Sequence, residues 1–253
     1  MSLRMWFRRG KDRRGSEHGA PEPVNEGLLD PLDPRVRSVL LSMYRGEPQR
    51  GLDGELHALE PETRISTWEG MWLYDLCLKV RPRATIEIGM AYGYSTLYFL
   101  AAIAKCGTGH HTAIDPCQMS MWHGIGLARV RAVFGADPDA FTFLDDRSDR
   151  VATDLARDNR AFDLVFVDGP HLFDHALADF HLYAPLCAIG GHIVLDDVWM
   201  PSIRTLADFV RANRHDFKEL RPTDGNISVF QRVAVDSRSW RHFRRFPVQG
   251  DMD

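Results

Sequence analysis

The sequence lacks the features that mark a secreted, membrane-spanning or fibrous chain. Its four cysteines, Cys77, Cys106, Cys117 and Cys187, lie far apart and form no Cys-x-x-Cys pair. Neither a disulfide framework nor a thiolate zinc site is expected, and each cysteine reads as a small buried apolar residue. No apolar stretch approaches the ~18 residues of a membrane span, and no secretory h-region follows the basic start. A reducing, cytoplasmic setting is the expectation. There is no internal repeat at a solenoid period. Glycine (20) and proline (14) are at ordinary levels, and 44% apolar with 26% charged residues excludes both disorder and collagen as the overall state. At 253 residues one α/β domain with end segments is favoured over two.

Charge of either sign is also scarce in the sum, −4, but it is unevenly placed. Residues 1–14 carry +5, residues 236–246 carry +3 and Asp251 with Asp253 carry −2, which leaves −10 on residues 15–235. A nucleic-acid-binding core is disfavoured, because it needs a basic face. Residues 1–34 read as a flexible basic arm with little apolar periodicity, residues 35–235 as the domain, with 35–82 as a helical lead-in, and residues 236–253 as a tail. Trp240, Phe243 and Phe246 stand among the arginines of that tail, which reads as a solvated end with its aromatics packed on the body.

Helical spacing covers Val36 to Tyr44 and then Thr67 to Val80, stopped by Pro82. Beyond it, short apolar runs alternate with amphipathic stretches, the pattern of βα units. Strands are expected at Ala84–Ile88, Thr112–Ile114, Phe141–Leu144, Leu164–Val167 and His192–Leu195. Helices are expected at Ser95–Lys105, Met121–Phe134, Asp149–Arg157 and Phe173–Leu186, and from Pro201 to about Asn213. Phe217–Leu220 and Ile227–Val233 read as two strands joined at Asp224-Gly225, a good hairpin pair. The expected fold is a doubly wound, Rossmann-like α/β sheet of seven strands, mostly parallel, with one antiparallel edge strand from the C-terminal hairpin.

The first strand runs into Glu87-Ile-Gly-Met-Ala-Tyr-Gly-Tyr-Ser95. Gly89, Ala91 and Gly93 form a tight strand-to-helix turn where a ligand can approach the backbone. Glu87 would repel a phosphate, but it could accept from an ammonium group. S-adenosyl-L-methionine carries an ammonium, a positive sulfonium and no phosphate. The second strand ends at Asp115, where a carboxylate could take both ribose hydroxyls.

The fourth strand ends Asp168-Gly-Pro-His171 and the fifth ends Asp196-Asp197. If these strands are neighbours, about 4.8 Å apart, three carboxylates converge on the carboxyl edge of the sheet. A hard cation, Mg2+, would relieve their repulsion, bind a substrate hydroxyl and lower its pKa. His171 could take the hydroxyl proton as general base. His171-Leu-Phe-Asp174-His175 also reads as a zinc-peptidase-like pair of histidines, weaker because Asp stands where Glu is expected.

Taken together, these residues resemble the class I S-adenosylmethionine-dependent methyltransferases, and within them the small-molecule O-methyltransferases of catechol, sugar and antibiotic type. The resemblance covers residues 60–233. It implies that Ser66-Thr-Trp-Glu-Gly70 is the lead-in helix and that Glu87, Gly89, Ala91, Gly93, Ser95 and Asp115 hold the donor. It further places Ser148 at the adenine, Asp168 at both donor and metal, and Asp168, Asp196 and Asp197 as metal ligands. His171 stands where the catechol-type enzymes carry a lysine, and Asp197 where they carry asparagine, which points toward the sugar-type branch. The implied reaction moves a methyl group to a hydroxyl of a sugar or secondary metabolite, with Met90, Trp199 and Met200 shaping the acceptor site and the leading helices offering a homo-oligomer interface. Three rivals stand beside it: the same fold working without a metal, an NAD-dependent oxidoreductase, and a non-catalytic module binding RNA or acidic membrane through its basic arms.

Overall fold

The computed structural model describes residues 24–136, 138–220 and 226–246. The expected Asp224-Gly225 turn, residues 1–23 of the basic arm and residues 247–253 of the tail lie outside the described residues. The chain divides into two sets of contacts, 19–148 and the part from Asp149 onward.

In the first part, α1 (Pro34–Tyr44) starts with proline at its first position and the Asp33 side chain accepting from the Arg35 amide at 2.9 Å. Structure is present ahead of Pro34. Glu26–Leu29 form a 3-10 turn, Leu29 and Leu32 are buried, and Arg45 grips Glu26 with two hydrogen bonds of 2.9 Å. A two-residue ladder, β1 (Gln49–Arg50) with β2 (Leu56–His57), is too short to show any alternation in sequence. Helix α2 (Thr67–Val80) opens with a capping box, in which the Ser66 amide donates to the Glu69 carboxylate (2.7 Å) and the Glu69 amide to the Ser66 hydroxyl (3.2 Å). It closes at Arg81, which takes a left-handed φ of 50° ahead of Pro82.

Strands β3 (Ala84–Ile88), β4 (His110–Ile114) and β5 (Phe141–Leu144) pair in parallel, with α3 (Tyr94–Cys106) and α4 (Ile125–Phe134) between them. Every α3 residue from Tyr94 to Ile103 is buried, so the helix is apolar all round because it is covered all round. Its partner α2 comes close at Gly70, where a Cβ would lie 2.0 Å from the Tyr98 ring. Helix α4 starts at Ile125 rather than at Met121 because His123 and Gly124 both hold left-handed backbones, φ 54° and 68°.

The second part contains α5 (Ser148–Arg157), β6 (Phe162–Val167), α6 (Phe173–Tyr183), β7 (Cys187–Leu195), α7 (Pro201–Asn213), β8 (Phe217–Leu220) and β9 (Ser228–Arg232). Helix α7 buries Ile203, Leu206, Ala207 and Val210, one face of a 3.6-residue period. Beyond it the buried Arg214 is held by Asp216 at 2.9 and 2.6 Å, and its guanidinium lies over Phe180 and Phe217. The tail is tied down at Asn213, which exchanges two hydrogen bonds with the Arg244 backbone. Phe246 packs on Phe209, but Trp240 (86% exposed) and Phe243 (67%) do not sit on the body as the sequence reading had it.

Across the seven-stranded sheet the order is β5-β4-β3-β6-β7-β9-β8. The reversed strand is β9, antiparallel to both β7 and β8. It takes the inner place, because Ser228, Val229 and Phe230 are buried whereas β8 keeps Lys218 exposed and forms the edge. All four cysteines are unpaired. No helix among the described residues is long and apolar enough to cross a membrane.

Candidate active site

The glycine turn after β3 is braced from within. Asp115, at the end of β4, accepts at Oδ2 from the Ala91 amide (2.8 Å) and the Met90 amide (3.3 Å), and at Oδ1 from the Cys117 amide (2.8 Å). Burial raises the Asp115 pKa above the usual carboxylate value, the three amide hydrogen bonds pull it back, and the charge of Glu87 adds to the rise. The side chain expected to reach for a ribose also holds the turn. Gln118 adds a second brace, its amide donating to the Ala91 carbonyl at 2.8 Å. Gly93 caps α3 with a left-handed φ of 85°, and a Cβ there would meet the Gly126 Cα at 3.0 Å.

Glu87 is fully buried, and both its oxygens face protein partners. The Ser95 hydroxyl donates to Oε2 at 2.7 Å, the Thr96 hydroxyl donates to Oε1, and His111 Nε2 lies 3.2 Å from Oε1. His111 is itself fully buried, 2.8 Å from the Thr85 hydroxyl and stacked on Phe99. Glu87 and Ser95, expected from the sequence to hold the donor, bond to each other and lock β3 to the first turn of α3. Of the turn residues, Gly89 and Ala91 keep partial exposure while Met90, Tyr92 and Gly93 are buried, so a ligand would meet backbone. Met90 packs with Leu100, Ala113 and Val130 in the core rather than toward an acceptor. Ser148 opens α5 just after β5 and is half-buried.

In the second part, β6 and β7 pair in parallel with Val167 opposite Leu195, so Asp168 leaves the sheet level with Asp196 and one residue short of Asp197. His171 Nε2 lies 3.0 Å from Asp168 Oδ1 and 3.2 Å from Asp197 Oδ2. Burial alone would depress the His171 pKa; the hydrogen bond to Asp168 and the charges of Asp168 and Asp197 together outweigh it and hold the pKa above its ordinary value. His171 and Asp197 both adopt a left-handed φ of 54°. The Ser202 hydroxyl fixes the His171 carbonyl at 2.7 Å, and the Trp199 indole donates to Asp197 Oδ1 at 2.8 Å.

Asp168, His171 and Asp197 are one group whose ligand atoms all lie within 4.8 Å of one another. Asp196 is outside it, 3% exposed, and the left-handed φ of 54° at Asp197 turns the chain between the two side chains. The donor set of two carboxylates and an imidazole suits a divalent ion. The separations of 3.0 and 3.2 Å match the ~3 Å between adjacent ligands on a cation with bonds of about 2.1 Å. The nitrogen broadens the choice from Mg2+ toward Mn2+ and its neighbours. His175 is not part of that group, which removes the basis of the zinc-peptidase reading.

Sequence reading missed Thr96, His111 and Gln118, the braces of the turn. The available signal was weak: His111 and Thr85 are polar residues within apolar strands, opposite each other in register.

Residues 86–198 match the family model described as a methyltransferase domain. Rhamnosyl O-methyltransferases of Mycobacterium tuberculosis and Mycobacterium bovis are 25% identical over 149 residues, 53% of this chain and 54% of theirs. The chain thus spans about half the length of the curated relatives it matches. Among solved structures, a methyltransferase of Podospora anserina bound to SAH superimposes with a TM-score of 0.62 at 15% identity, over 85% of this chain and 100% of that one. An O-methyltransferase of Streptomyces achromogenes involved in tomaymycin synthesis, in complex with SAM, gives 0.59 at 19% identity, over 80% and 91%. Residues 86–198 are thus similar to a methyltransferase domain, and the strand order belongs to the fold that these solved methyltransferases share.

Proposed function

We propose that this chain is an S-adenosylmethionine-dependent O-methyltransferase acting on a hydroxyl of a small molecule, a sugar or a secondary metabolite. The observation that carries the reading is the Asp168–His171–Asp197 group, an imidazole held between two carboxylates. Such an imidazole takes up a hydroxyl proton readily, because the flanking charges stabilise the imidazolium it becomes. The donor supplies an electrophilic methyl on a cationic sulfonium. On the protein side, the exposed backbone of Gly89 and Ala91 would receive it, Asp115 and Glu87 would keep the turn in shape, and Ser148 would stand at its adenine.

Asp168 and Asp197 would hold a divalent cation through their carboxylate oxygens, leaving the His171 imidazole as the base, and the cation when bound would act as a Lewis acid that lowers the pKa of the acceptor hydroxyl. The likeness to rhamnosyl O-methyltransferases supports a sugar hydroxyl as acceptor. Trp199, 44% exposed beside Asp197, offers an apolar face on which a sugar ring could rest.

A second reading has its own support. His171 already stands between the two acids, so the imidazolium could neutralise them without an ion. A screen of hydroxylated acceptors, sugars first, with labelled donor and with and without EDTA separates these readings. Methyl transfer abolished by EDTA and restored by Mg2+ or Mn2+ supports the metal-assisted reading; full transfer in EDTA, lost in His171→Ala, selects the metal-free one. Absence of calorimetric S-adenosylmethionine binding overturns both.

A further inference from the structure

The β1–β2 hairpin and the loop ahead of α4 bring Asp53, His57 and His123 together. His57 Nε2 lies 2.8 Å from Asp53 Oδ2, and His123 Nδ1 lies 3.6 Å from the same oxygen. The two imidazoles stack with centroids 3.7 Å apart and planes 6° from parallel. One ligand atom from each of the three residues falls within 4.8 Å of the others.

The arrangement is held from behind. Asp53 Oδ1 accepts from the Glu55 amide at 3.0 Å, which aims Oδ2 at the rings, and the Leu52 amide donates to the His123 carbonyl at 2.9 Å. Gly51 makes that approach feasible, since a Cβ there would lie 2.4 Å from the His123 carbonyl oxygen. His123 keeps a left-handed φ of 54°, a conformation that persists in a non-glycine residue only where its surroundings impose it. The side chains of His57 and His123 remain 22% and 43% exposed, so an ion can reach them.

Hydrogen bonding accounts for only half of this convergence. The Asp53–His57 contact is a good hydrogen bond, but His123 faces the same oxygen from beyond hydrogen-bond reach. We propose that Asp53, His57 and His123 form a binding site for a borderline transition ion of the Zn2+ class, with water completing its coordination. Two imidazole nitrogens and one carboxylate are a zinc donor set, and a poor one for Mg2+ or Ca2+, which prefer oxygen throughout. The ion would tie the hairpin to the loop that runs back through Gln118 and Cys117, the braces of the glycine turn.

The test uses the full chain, stripped with EDTA and titrated with Zn2+ in a calorimeter, with Co2+ as a visible-absorption probe. A His171→Ala/Asp197→Ala control excludes binding at the other cluster. The expected result is a bound equivalent that persists in the control and loses roughly tenfold or more in affinity in His57→Gln and in His123→Gln. Unchanged affinity in both histidine variants, or loss of all Zn2+ binding in the control, would overturn the site. If His123→Gln does not fold, His57→Gln on the hairpin decides by the same criterion.

Discussion

The Asp115 carboxylate accepts the Ala91 amide at 2.8 Å, and through that bond the end of β4 shapes the turn that follows β3. Asp115→Ala strips an acceptor from three amides, those of Met90, Ala91 and Cys117. We expect a loss of about 2–3 kcal/mol in denaturant unfolding together with loss of calorimetric donor binding; Asp115→Asn, which keeps one acceptor oxygen, should recover part of both. Full stability with lost donor binding would mean that Asp115 serves the ligand and not the turn.

Glu87 gathers Ser95, Thr96 and His111 around a fully buried carboxylate. Glu87→Ala leaves these buried groups unpaired and should cost about 3 kcal/mol or more. Glu87→Gln keeps the shape and one acceptor, and is expected to fall between the two. Chemical denaturation of the three proteins gives the order.

His192 sits in β7, 3% exposed, and neither ring nitrogen has a hydrogen-bond partner among the described residues. Burial lowers its pKa below the ordinary 6.5. Below pH 6.5 the unfolded chain therefore binds a proton that the folded chain refuses, and stability falls as pH drops toward the folded value. His192→Leu removes both the unpaired nitrogens and this linkage. It should be at least as stable as the parent near neutrality, with the advantage growing in acid, as read from urea midpoints at about pH 5 and about pH 7.5. An advantage independent of pH would exclude the titration as its cause.

Gly70 lies against the Tyr98 ring, where a Cβ would come within 2.0 Å. Gly70→Ala normally favours a helix by about 1 kcal/mol, yet here it forces α2 away from α3. A net loss of about 1–3 kcal/mol is expected in thermal or chemical unfolding, and a gain would show that the two helices separate freely.

Asp196 and Asp197 are neighbours in sequence with different surroundings: Asp197 faces His171 at 3.2 Å, and Asp196 is buried outside the group. Asp197→Asn is expected to weaken divalent-ion binding by roughly tenfold or more. Asp196→Asn should act first on stability. Equal effects of the two changes on ion affinity would restore the three-acid reading.

Much of the fold was legible in the residues because periodicity is local. β3, β5, β8, α2 and α7 fall on the expected residues, each set by an apolar period, a cap or a proline. The misjudged boundaries have local backbone causes: α4 starts late because His123 and Gly124 turn left-handed. The exchange of β8 and β9 at the sheet edge depended on which strand could be buried on the sheet, a comparison that neither strand makes alone.

The same division runs through the site. The sequence by itself determined the kinds of groups available, a glycine turn with acids at strand ends and a histidine three residues past one of them, because those positions follow from strand length and alternation. Tertiary structure decided their use. It turned Glu87, Ser95 and Asp115 inward as braces, since buried carboxylates must find donors. It also selected Asp197 over Asp196, since the left-handed backbone at Asp197 sets its side chain apart from that of its buried neighbour. Asp53 and His57 meet His123 only through the fold, because the hairpin that carries the first two is far in sequence from the loop that carries the third.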